Sequence, residues 1–298
     1  MGVATDDRGA RAADALWRVL EPYHAVTYFA SEHREACDAL GLRGGWMAYF
    51  ASRAAPLGPV APEVVTALFH GFSPPMVARS LPDAWTHASP AAVLDARAAG
   101  VDTALRRVLG AEVEGEGVMR AADLARRLAT APALAGRPMH AANRSLPWPD
   151  APHMVLWHAA TLLREHRGDG HVAVLVGAGL DGCAAQVLQV ATGRVPRSVI
   201  QPARWWTDEE WDVAVESLRG RGLVDAGGAA TADGVALRDR MERQTSTLAA
   251  EPVRRVGVDV ASSLVDAMGP VVDALARADI IPYPNAMGVP SAGEGVTR

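Results

Sequence analysis

The chain has 298 residues, 49% of them hydrophobic, and a formal net charge of −5 at pH 7. That length suffices for one large domain or two ordinary ones, and the mild negative charge exerts no global pull towards nucleic acid or an anionic membrane. Two cysteines, Cys37 and Cys183, argue against a disulfide scaffold or a zinc ribbon, and the absence of lysine excludes a lysine Schiff base and a P-loop lysine.

The chain opens without an apolar run, so no signal peptide is expected, and no apolar segment is long enough to span a bilayer. A cytoplasmic protein is expected. Alanine, leucine, arginine and glutamate dominate, and alternating strands are scarce, so the fold class reads as mainly α. Helices are predicted over 8–20, 24–40, 46–54, 62–69, 74–81, 90–109 and 118–129. Several open on proline, whose missing N–H costs nothing in a first turn. The stretch "AGRPMHAANRSLPWPDAPH" is rich in proline, glycine and small polar residues and reads as a linker. Beyond it, helices are predicted over 154–166, 172–191, 197–203, 208–219, 235–249 and 260–278. The expected division is a helical repeat over 1–135, a linker over 136–152, a second repeat over 153–285 and a flexible tail over 286–298.

Two stretches suggest an internal duplication. "YHAVTYFASEHR" (23–34) and "WHAATLLREHR" (157–167) share His, Ala, Thr and then Glu-His-Arg. "WMAYFASRAAPLG" and "HVAVLVGAGLDG" follow them in the same order, then "LPDAWTHASPAAV" and "QPARWWTDEEWDVAV". Thr86 and Thr207 would cap the helices that follow, because a hydroxyl can accept from the first free N–H groups. The predicted architecture is therefore two diverged helical repeats with winged-helix elements, and a small β-wing in the second.

Gly177, Gly179 and Gly182 have GxGxxG spacing after an apolar run. A dinucleotide reading would lay a pyrophosphate on the helix N-terminus, and Arg194, Arg197 and Arg204 would favour the 2′-phosphate of NADP. The flanking sequence lacks the alternating strands of a βαβ unit, and a close-packed small-residue helix accounts equally for the glycines.

The stretch from Pro196 to Thr245 reads as helix, turn, second helix ending in "LRGRGLV", a Gly-rich hairpin and a long helix. It resembles the winged-helix half of MarR-type regulators. The second helix would begin Asp208, Glu209, Glu210, Trp211, Asp212, which suits the helix dipole but repels phosphates. Arg219 and Arg221 leave some basic surface nearby, yet DNA is not the expected partner. Across most of the chain, segments such as "WMAYFASRAAPLG", "NRSLPWP", "LWHAATLLREHRGDGHVAVLV", "WTDEEW" and "PYPNAMG" resemble an actinobacterial family that carries a helix-turn-helix label. That resemblance implies a helical fold with a helix-turn-helix element and no assigned activity.

The polar stripes nominate a site. His158, Thr161 and Glu165 share a helix face and run into Arg164, Arg167, Asp169 and His171, while His24, Tyr28 and Glu32 form the matching stripe. Solvated helix faces would explain each residue singly. Their core-like flanks instead predict partial burial around a cleft. His158 or His171 would be the general base, oriented by Glu165 or Asp169. Arg164 and Arg167, with His24, Tyr28 and Glu32, would hold the ligand. No local motif assigns a metal or names a cofactor. The expectation is a small-molecule-binding protein, or an enzyme of specialised metabolism, that takes a small polar or anionic molecule and has lost DNA recognition. A ligand-responsive MarR-like regulator and an NADP-binding protein are the alternatives, and a homodimer fits either.

Overall fold

The computed structural model describes residues 7–289, and among these the protein is mainly helical. In chain order the helices are α1 (Asp7–Phe29), α2 (Ser31–Ala39), α3 (Gly44–Ala54), α4 (Pro62–Leu68), α5 (Pro74–Ser80), α6 (Ala84–His87), α7 (Pro90–Leu109) and α8 (Glu116–Thr130). They continue with α9 (Pro138–Arg144), α10 (Pro152–Gly177), α11 (Gly182–Ala191), α12 (Arg197–Arg204), α13 (Asp208–Gly220), α14 (Ala232–Ala249), α15 (Glu251–Val256) and α16 (Val258–Ala278).

Local chemistry sets many of the boundaries. Proline opens α4, α5, α7, α9 and α10, as predicted for first-turn positions. Thr207 caps α13 with a full capping box: its hydroxyl accepts from the Glu210 N–H, and the Glu210 carboxylate accepts from the Thr207 N–H. Thr86 does not cap the helix expected after it. It lies inside α6 and donates to the Asp83 carbonyl at 2.8 Å, and Ser89 caps α7 instead.

α10 is the spine. Its 26 residues reach about 39 Å at 1.5 Å per residue. Its first half joins Leu20 and Tyr23 of α1, Leu105 of α7, Leu128 of α8 and Met268 of α16 in the largest apolar core. That core therefore draws on both sides of the expected 136–152 linker. Val174 and Leu175, near its end, join Leu188, Ile200, Trp211 and Leu218 in the core of a second unit, α11 to α13. A third core holds Phe50, Phe69, Phe72 and Met76, together with Met139 from the expected linker. Residues 138–144 of that stretch form α9, with Met139, His140 and Asn143 buried.

Several expectations are corrected. Residues 154–166 and 172–191 were expected as separate helices, yet α10 runs unbroken through Gly168 and Gly170. At Gly170 a Cβ would sit 2.3 Å from the Arg137 guanidinium, so this glycine admits a close neighbour without ending the helix. The break comes at Gly179, with φ +63°, and turns the axis by 93° into α11. The two similar stretches are not equivalent: the first is split at Ala30 between α1 and α2, and the second lies wholly within α10. The repeats find no support. The expected β-wing is a tight turn closed by a single bridge, Val224 to Ala230, with the Asp225 carboxylate accepting from Gly227 and Ala229. Of the expected tail, residues 290–298 lie outside the described residues. Residues 285–289 pack down, with Val289 beside Ala25 and the Asn285 side chain accepting from the N–H groups of Met287 and Val289.

Among the described residues no single helix is long and apolar enough to cross a membrane. The junction of α11 with the α4–α5 turn tolerates no side chain. A Cβ on Gly182 would lie 2.2 Å from the His70 carbonyl oxygen. Gly182→Ala should therefore cost about 1–3 kcal/mol of stability, read as a lower urea midpoint at unchanged slope.

Candidate functional site

The polar stripe of α10 meets α1 and α3 in a buried ionic network. Glu165 is the centre. Its Oε1 accepts from Arg53 Nε at 3.0 Å and Arg164 Nη1 at 2.7 Å, and its Oε2 accepts from Arg53 Nη2 at 3.0 Å. The Arg53 pair is a two-pronged fork, the strongest common form of such contacts. Arg164 also faces Glu21 at 3.6 Å. Burial pushes the Glu165 carboxyl up, but the Arg164 and Arg53 guanidiniums override it and hold it below the usual carboxylate range. For Glu21 burial prevails over Arg164, and its carboxyl is raised.

A chain of hydroxyls and rings extends the network. Arg53 donates to the Tyr49 hydroxyl at 3.1 Å and lies 4.0 Å over the Phe69 ring. Tyr49 packs on Tyr28, with ring centroids 5.0 Å apart. Thr161 donates its hydroxyl proton to the Trp157 carbonyl, so it must accept from His24 Nδ1 at 3.0 Å. His24 Nε2 then accepts from the Tyr28 hydroxyl at 3.2 Å. This tautomer is the neutral one, which agrees with burial and Arg164 pushing the His24 pKa well below its ordinary value.

Two further arginines border the network. Arg97 is buried, donates to the Ser52 carbonyl at 3.0 Å, and leaves its Nε without a partner. Arg204 closes α12, lies 4.1 Å over the Phe72 ring and donates to the Ala286 carbonyl at 2.7 Å, and its buried Nε is also unpartnered. Burial pushes the Arg204 pKa down to about 10, with Arg53 and Arg164 adding repulsion. The count is four guanidiniums, at Arg53, Arg97, Arg164 and Arg204, against two carboxylates, at Glu21 and Glu165.

Of the residues nominated from sequence, His24, Tyr28, Arg164 and Glu165 come together. The others do not. Glu32 lies at the surface and pairs with Arg107. His158 stands edge-on to Trp148 at 4.7 Å, with its buried Nε2 unpartnered. Arg167 sits between Asp14 at 3.5 Å and Glu242 at 3.4 Å. Asp169 accepts from the N–H groups of Met139 and His140 at the start of α9. His171 meets the Thr245 hydroxyl at 3.0 Å. The expected base and orienter pairs are therefore not formed. His158 and Glu165 are seven residues apart on one helix, about 10 Å along its axis and beyond hydrogen-bond reach. The expected open cleft is also closed at this point. The cavity beside Trp17, Glu21, Arg164 and Arg167 has about 30 Å³, room for one water molecule.

Arg53, Arg97, Glu21 and Tyr49 escaped the sequence reading, and Arg204 entered it only as a partner for the 2′-phosphate of NADP. Two signals pointed to them: Tyr49 and Arg53 stand four apart within the apolar "WMAYFASR", and Glu21 follows the apolar end of a helix. The glycine motif forms no dinucleotide site. Residues 172–176 are helical, so the required strand is missing. The start of α11 is capped by the Asp181 carboxylate, which accepts from the Ala184 N–H where a pyrophosphate would have to lie. Among the described residues no group of three or more His, Cys, Asp or Glu side chains is placed to hold a metal ion.

α11, α12 and α13 follow one another as short helices around one apolar core, the order expected of a helix-turn-helix. A model of a helix-turn-helix family matches residues 13–282, and the chain belongs to that family. No curated protein and no solved structure matches the chain.

Burial pushes the pKa values of His33, His158, His166 and His171 down to about 4. Their unfolded values lie near 6.5, so between about pH 6.5 and 4 the unfolded chain takes up protons that the folded chain refuses. Their contribution to stability is complete above about pH 6.5 and is lost as pH falls towards 4. Asp169, raised to about 6 by burial, acts in the opposite sense by one proton. The urea midpoint should fall between pH 7 and 5, and more shallowly in His158→Asn; a flat profile would mean the imidazoles protonate freely in the folded protein.

Proposed function

We propose that the protein binds a small anionic molecule, through a carboxylate or phosphate, at the arginine–tyrosine cluster between α1, α3, α10 and α12. The excess of buried positive charge carries this reading. Four guanidiniums share two carboxylates, and the raised pKa of Glu21 moves one of those towards neutrality. A buried charge without a partner costs several kcal/mol. An anion supplies the missing partner, and guanidiniums suit the planar, two-pronged geometry of carboxylate and phosphate. The cluster is closed beside Glu21 and Arg164, so the anion enters by opening the Arg204 bond to the Ala286 carbonyl, which lies in a loop segment, and this uncovers the buried, unpartnered Nε. The hydroxyls of Tyr28 and Tyr49 add polar contacts. Both ring nitrogens of His24 are engaged, so no free base faces the anion, which favours binding over turnover. A cytoplasmic setting suits the two free, buried cysteines.

An excess of buried positive charge that awaits an anion should be relieved by removing one guanidinium from the empty protein. Arg204→Met should melt no lower than the parent in anion-free buffer, and should lose most of the melting-temperature rise that phosphate or succinate gives the parent. No rise with either anion in the parent would refute the assignment.

A ligand-responsive regulator is the second reading, favoured by family membership. The chemistry of α13 opposes DNA as its target. Asp208, Glu209, Asp212 and Glu216 are exposed along the helix that would enter the major groove, and Val213 is 71% exposed among them. Arg197 offsets Asp208 and Arg219 offsets Glu216, yet Glu209 and Asp212 would still turn like charge towards phosphates. Mobility-shift assays with random duplex should show no binding at physiological salt, and a steeply salt-dependent affinity would restore the regulator.

A further inference from the structure

A second feature lies away from the arginine cluster. A groove of about 810 Å³ runs between the end of α10, the turn after α13 and one face of α14. Small-molecule sites commonly occupy about 300–1,000 Å³. Its floor is apolar, made by the buried Val174, Leu223, Leu237 and Met241.

The sequence explains why the groove is open. α10 and α14 run antiparallel, with His171 against Thr245. Near Gly170 they are in contact, and a Cβ there would lie 3.3 Å from Leu248 Cβ. Further along, α10 presents Ala173, Gly177 and Ala178 to the groove, and a Cβ on Gly177 would meet nothing within 4 Å. Small residues on one wall and long ones on the other leave a trough.

The rim has one sign of charge. Arg221 and Arg240 line the groove, and none of the twelve lining residues is acidic. Arg221 is held in place by its bonds to the Ala178 and Gly179 carbonyls, both at 2.9 Å. Arg240 and Gln244, one helical turn apart on α14, are exposed. An apolar floor with a cationic rim matches an amphipathic anion, while a free phosphate would leave the floor uncovered.

We infer that this groove binds an amphipathic carboxylate. The apolar body lies along Val174, Leu223, Leu237 and Met241, and the carboxylate meets Arg240 and Gln244. The site is separate from the arginine–tyrosine cluster and adjoins the end of α13 through Arg221 and Leu223.

The test is calorimetric titration of the full chain with decanoate, held below its micelle-forming concentration. Decanol and decyltrimethylammonium serve as neutral and cationic controls. Decanoate should bind saturably, one per chain, and about tenfold more tightly than decanol. Gly177→Phe, which fills the trough from a helical position with open space, should weaken decanoate binding at least tenfold. Arg240→Glu should do the same without touching the floor. Arg204→Met should leave decanoate binding unchanged, which separates this site from the one proposed above. The inference fails if decanoate does not saturate, if the cationic control binds equally well, or if neither groove variant weakens binding. It also fails if light scattering shows a dimer that Gly177→Phe dissociates, because the groove is then a subunit interface.

Discussion

Glu165 is the residue on which the arrangement of the N-terminal helices depends. Its carboxylate is 2% exposed and joins α10 to α3 through the fork with Arg53. Its neighbour Arg164 joins α10 to α1 through Glu21. A buried carboxylate with fewer partners would be protonated or would unfold its surroundings, because desolvation alone pushes its pKa up. The two guanidiniums must therefore be in place before α10 can be a core helix. This makes α3 and α1 neighbours of α10 for an electrostatic reason as well as an apolar one.

The same constraint orders the ring of hydroxyls around it. Thr161 lies on the same face of α10 as Glu165, four residues before it, and its hydroxyl has a lone pair to offer His24 once its proton is given to the Trp157 carbonyl. Thr27 donates to the His24 carbonyl and accepts from Trp157 Nε1 at 2.9 Å. Each group along this path has its donor and acceptor roles determined by the next, so the cluster holds one geometry. Arginine departs from that pattern. Guanidiniums outnumber the carboxylates: Arg97 and Arg204 turn to the Ser52 and Ala286 carbonyls, and the buried Nε of each has no partner.

Much of the helical pattern was legible, because proline at first turns and amphipathic spacing are local signals. α7, predicted over 90–109, has those bounds, and the capping box at Thr207 was written in "TDEE". Close packing was not legible. Gly168 and Gly170 read as breakers, yet Gly170 makes room for Arg137, which lies 33 positions earlier at the start of α9, and nothing local distinguishes a breaker from a contact glycine. The polar face of α10 was correctly read as buried, since its flanks are core-like. Which partner each residue takes could not be read, because Arg53 is 112 positions from Glu165 and Thr245 is 74 from His171. The repeated Glu-His-Arg misled for the same reason: Glu32 meets the surface residue Arg107, and Glu165 meets the interior.

The two proposed sites border the α11 to α13 unit at different places. Arg204 ends α12, and Arg221 follows α13. Between them α13 exposes acidic residues and Val213. A helix-turn-helix needs an apolar core to hold its angle, and Ile200, Trp211 and Leu218 provide it here whatever the outer face carries. The fold can therefore persist whatever its outer face binds. Cationic side chains have instead gathered at the inner and lateral edges of the unit, where they meet apolar floors and tyrosine hydroxyls. The proposed anion sites draw on that distribution.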